Sequence, residues 1–150
     1  NMSTYTEEVG KKLNNLLEKT YDAEKGFKKA AENINHEPLK SYFKNKAQER
    51  YNFGHELKQE IRSFNQDVEK GGSLTGTAHR AWMDIKSLLS SDAEESMLNE
   101  AIRGEKAAIE EYEEVLTEQS LPMSTKSILQ SQKSTINNGL AKINSLEDLH

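Results

Sequence analysis

A chain of 150 residues with 25 acidic and 20 basic side chains has a formal charge of −5, and its 2 prolines and 8 glycines leave a composition suited to long, water-facing helices. The lack of cysteine excludes disulfides, thiolate metal sites and thiol nucleophiles, while the negative charge argues against nucleic acid and anionic membranes as partners. No apolar run approaches the ~20 residues of a membrane span, and the opening "NMSTYTEEVGKKLNNLLEK" is too polar for a leader, so the expectation is one cytoplasmic domain over residues 1–150.

The hydrophobic period predicts five helical segments and no strands. The first runs from about Thr4 to Asn35, with Val9, Leu13, Leu16, Thr20, Ala23, Phe27, Ala30 and Ile34 in alternating steps of four and three. "NHEPLK" interrupts it, and Pro38 suits the first turn of a second helix, where a missing N–H does no harm. That helix is expected to reach about Lys70 through Leu39, Phe43, Leu57, Ile61, Phe64 and Val68, with Gly71 and Gly72 as its stop. A short third segment, about Leu74 to Ser90, carries Leu74, Ala78, Ala81, Trp82, Ile85, Leu88 and Leu89. The fourth reads from Ala93 to about Gln119, and the fifth, after "SLPMST", from about Thr125 to Leu146. Four long helices and one short one, in two hairpins joined by a crossover, give the connectivity of a ferritin-like four-helix bundle.

Bundles build sites from side chains that face inward, so the polar residues within the apolar stripes are the informative ones. At roughly 100° per residue, Glu24 falls within the first stripe, Arg50 within the second, Glu105 within the fourth and Gln132 within the fifth; Glu49 and Glu56 flank the second. A buried carboxylate must be protonated, paired or metal-bound. One reading of Glu24, Glu49 and Glu105 is therefore a dimetal carboxylate site holding iron or another divalent metal. The other is a salt-bridged core in which the fork of Arg50 neutralises one or both of Glu24 and Glu105, with Gln132 as a hydrogen-bond partner and no cofactor. The second is preferred, because Arg50 sets a fixed positive charge where a cation would sit.

Little other chemistry is written in the chain. There is no Walker loop, dinucleotide-binding glycine motif or nucleophile elbow. His36 falls in a turn, His55 on a polar flank and His79 in the short third segment, while His150 closes an "EDLH" at a chain end. Lys25, Lys28, Lys29, Lys40, Lys44 and Lys46 alternate with acids and read as a solvated face without the aromatics of a nucleic-acid surface. The tyrosines are assigned to packing and Trp82 to anchoring the crossover.

In "YDAEKGFKKAAENI", "AQERYNFGHEL", "GGSLTGTAHRAWMDIKSLL" and "GEKAAIEEYEEVL" the chain resembles an uncharacterised bacterial family of four-helix-bundle proteins, a domain of unknown function in the ferritin-like superfamily. The stretch Gly72 to Asp84 is its most specific part. The resemblance implies the fold and no activity. The superfamily's metal pattern, one glutamate on each of two helices and Glu-x-x-His on each of the others, is matched by Glu24 and Glu105, whereas Asn52 follows Glu49 where histidine is expected and Gln132 and Thr135 stand on the last helix. The expectation is a non-catalytic bundle with an interaction or stress-related role, its partner another protein or its own copy, and the alternative a metal-binding or dimetal oxidoreductase.

Overall fold

The computed structural model describes residues 2–68 and 93–149. Among these residues the chain forms four long helices and no strand: α1, Met2–Glu32; α2, Glu37–Ser63; α3, Ala93–Leu116; and α4, Met123–Lys142, followed by a short 3-10 turn, Leu146–Asp148. The short third segment, with His79 and Trp82, lies outside the described residues, as does His150. No helix among the described residues is long and apolar enough to cross a membrane.

Each hairpin is set locally. The Nδ1 atom of His36 accepts a hydrogen bond from the backbone N–H of Leu39 at 3.2 Å and so caps α2, with proline in the first turn; the turn histidine is a capping residue. α2 ends at Ser63, short of the expected Lys70. Asn65 takes a left-handed conformation, φ 58°, and its N–H donates to Arg62 O while that of Gln66 donates to Ile61 O. This is a Schellman stop built on asparagine, a residue that tolerates left-handed backbone, and it acts before Gly71 is reached. Phe64 and Val68 still pack on the core, but from beyond the helix. α3 and α4 also end before the expected Gln119 and Leu146.

The core falls into two clusters. One gathers Val9, Leu13, Leu17, Leu57, Ile61, Tyr112, Leu129 and Ile136; the other gathers Phe27, Ala30, Ile34, Leu39, Phe43, Ala47, Met97 and Leu98. α1 and α4 run from the first towards the second, with Ile143 and Leu146 packed on the latter, and α2 and α3 run the opposite way. Thus α2 and α3 are parallel to one another. Arg50 and Glu105 occupy the boundary between the clusters, since Ala47 and Ala101 lie on one side of them and Phe53 and Tyr112 on the other.

Candidate functional site, a charged layer in the core

The charged layer centres on Arg50, only 2% exposed. Its position follows from helical spacing, seven residues after Phe43 and seven before Leu57, which are fully buried. The rings of Phe27 on α1 and Phe53 on α2 lie 5.7 and 5.6 Å from its guanidinium carbon, within cation–π range. Nη1 donates to Oε1 of Glu49 at 2.8 Å and to Oε2 of Glu105 at 3.2 Å, and Nη2 donates to Oε1 of Glu105. The contact with Glu105, itself 2% exposed, is a bidentate fork between α2 and α3. Burial pulls the guanidinium pKa down, but Glu105 foremost, then Tyr112 and Glu49, outweigh it, so the group is held charged.

A second cation enters this layer. Lys46 is buried, its Nζ 3.4 Å from Glu49 and 3.5 Å from Glu105. It does not belong to the solvated lysine face expected from the sequence. Position 46 follows Phe43 by three residues and precedes Arg50 by four, which turns it inward. Gly139 on α4 makes room: a Cβ built there would stand 2.9 Å from the lysine Nζ. Two cations, Lys46 and Arg50, thus meet two acids, Glu49 and Glu105, and the layer has no net charge.

Glu24 is not part of it. The structure places that carboxylate at the edge of α1, its side chain 15% exposed and 2.9 Å from Lys28 Nζ one turn on. A step of four residues from Thr20 overshoots a full turn by about 40°, which moves Glu24 off the inward face and into reach of its own helix's lysine. Glu56, also flanking, is exposed but accepts from Nε2 of Gln132 at 3.1 Å.

Gln132, 1% exposed, sits within the first apolar cluster and is fully engaged. Its Oε1 accepts from the hydroxyl of Tyr112 at 2.6 Å, and its Nε2 donates to Glu56 and to the backbone oxygen of Phe53 at 3.3 Å. Gln132 therefore bonds a buried phenol rather than Arg50 or Glu105. Burial pushes the pKa of Tyr112 up, with Arg50 opposing, and burial, Glu105 and Glu49 push up that of Tyr42.

A further buried acid, Glu60, lies near the end of α2. It accepts from the hydroxyls of Ser124 and Thr125 at 2.9 and 2.5 Å, in the first turn of α4. Pro122 at the N-cap has no side-chain oxygen to offer there, so the carboxylate from α2 provides the negative charge a helix N-terminus favours. Reading Glu60 as three residues beyond Leu57 would have shown its inward direction.

Among the described residues, no three histidine, aspartate or glutamate side chains converge as a metal-ligand set. Glu49 and Glu105 are both in contact with Arg50 and Lys46.

A family model described as a domain of unknown function, DUF2383, matches residues 8–118. The chain belongs to that family. The matched span includes the Arg50–Glu105 pair and ends before α4, leaving Gln132 and Gly139 outside it. No curated protein matches the chain.

Proposed function

We propose that this member of the DUF2383 family is a non-catalytic helical bundle of the ferritin-like type that works by interaction with another protein or a second copy of itself. The parallel arrangement of α2 with α3, and of α1 with α4, supports that connectivity. The observation that carries the non-catalytic reading is the occupation of Glu105: both of its carboxylate oxygens accept from Arg50, and Lys46 stands on its Oε2 side. A divalent cation between Glu49 and Glu105 would have to displace a guanidinium held there by two carboxylates, with Lys46 still adding repulsion. The donor set fits a salt bridge and does not fit a dimetal centre.

The test is metal content and iron chemistry of protein purified without chelators. Aerobic iron(II) is expected to produce neither oxo-bridge absorbance nor a change in melting temperature. Stoichiometric metal that is lost in Glu105→Ala would overturn the proposal in favour of a metal-binding or oxidoreductase role.

A further inference from the structure

α1 and α2 form between them a groove of about 570 Å³. Its floor includes Ala31 and Ala47, both buried, and Tyr51, one of two exposed large hydrophobic residues among those described, lines it as well. Three lysines and two glutamates complete the wall. Lys28 is taken by Glu24 at 2.9 Å. Lys40 and Lys44 make no ion pair among the described residues, and Glu32 alone remains to offset them, so the groove is positive. Lys40 also stands in the first turn of α2, where the partial positive charge of a helix N-terminus disfavours a cation.

The same mismatch, reversed in sign, closes α3. Glu110, Glu111, Glu113, Glu114 and Glu118 follow one another with no base between them, and the last turn of the helix carries no cation to meet its negative end. Lys19, Lys133 and Lys12 reach Glu111, Glu113 and Glu118 from other helices. Glu110 and Glu114, both exposed, make no ion pair among the described residues. Four residues separate Glu110 from Glu114, as they separate Lys40 from Lys44. Each pair therefore shares one side of its helix and spans about 6 Å of it. The two pairs match in spacing and oppose in sign, yet do not meet within one molecule. The net charge of −5 makes nucleic acid and anionic membrane poor occupants of the groove. An acidic protein surface fits it, and this chain displays one of the right spacing.

We propose that the α1/α2 groove docks a second copy of this chain, with Lys40 and Lys44 receiving the Glu110 and Glu114 side of that copy's α3. The inference rests on the reading of the protein as one that works by interaction, and it names the partner and both faces. Exposed ion pairs contribute little singly and are screened by salt, while the alanine floor and the Tyr51 ring add apolar contact. The association is therefore weak and salt-sensitive.

Sedimentation of the full chain tests it. The mass is expected to rise with protein concentration at low ionic strength and to return to that of the monomer in concentrated sodium chloride. Lys40→Glu with Lys44→Glu, and separately Glu110→Lys with Glu114→Lys, put like charges on both faces and are each expected to weaken self-association at least tenfold. An equimolar mixture of these two variants restores opposite charges and is expected to regain it. Lys11→Glu with Lys142→Glu alters the net charge as much as the first variant, at exposed positions outside both faces, and is expected to associate like the parent. A parent that stays monomeric, association indifferent to salt, variants that associate as the parent does, a mixture no heavier than its parts, or equal loss in the Lys11→Glu, Lys142→Glu control would each overturn the proposal. Should a variant lose the parent's circular dichroism, the parent's mass at low and high salt decides. Such a failure is separable from failure of the non-catalytic reading, which metal content judges.

Discussion

The Arg50 guanidinium on α2 grips the Glu105 carboxylate on α3 through two nitrogens, and the two residues are 55 positions apart in the chain. Arg50→Met leaves Glu105 buried with only Lys46 at 3.5 Å, and the expected loss is about 3–5 kcal/mol in denaturant unfolding. Adding Glu105→Leu removes the stranded acid and leaves Lys46 and Glu49 to pair with each other. The double variant is therefore expected to regain at least about 2 kcal/mol of the loss. Additive losses would show that the two side chains do not depend on one another.

The space above Gly139 belongs to the Lys46 ammonium. Gly139→Ala gains up to about 1 kcal/mol of helix propensity but pushes on the far end of a flexible side chain, so its net effect in the parent is small. In a Lys46→Ala background the obstacle is gone and the same substitution is expected to stabilise by most of that amount. A Gly139→Ala effect equal in both backgrounds, measured as a shift in unfolding midpoint, would contradict the packing described.

Alkaline pH should weaken the bundle through Tyr42 and Tyr112. Burial first, with Glu105 and Glu49 adding to it, raises both phenols. In the unfolded chain a tyrosine loses its proton near pH ~10. Above that pH the folded state binds more protons than the unfolded one, so stability falls as pH rises. Tyr112→Phe removes one such group. Its unfolding free energy, compared with the parent from pH ~9 to ~11, is expected to decline less steeply, whatever the cost of losing the bond to Gln132. Parallel pH profiles would mean that Tyr112 ionises freely in the folded protein.

Glu60→Ala deprives Ser124 and Thr125 of their shared acceptor at the start of α4. The expected cost is about 1–2 kcal/mol, with Glu60→Gln in between because its amide oxygen still accepts. Faster backbone hydrogen exchange should be confined to the first turns of α4. Unchanged exchange there would place the start of α4 under other control.

The chain's own periodicity determined the four long helices, the two hairpins and the inward directions of Arg50, Glu105 and Gln132, because a 3.6-residue repeat marks a buried face whatever packs against it. It also pointed to Arg50 as a permanent cation among inward acids, since a charged residue on an inward face is a local property of the sequence. The C-terminal stop of α2 was open to a similar reading at Asn65, but the glycines after it were the louder signal. The partners were settled only in three dimensions. Glu24 and Glu105 look alike along their stripes, yet Lys28 captures one at the helix edge and Arg50 the other in the interior. Lys46 counts as one more surface charge until α4 brings a glycine against its ammonium. Which acid meets which base depends on where a second helix sets its backbone, and helical periodicity records direction about an axis without recording what lies opposite.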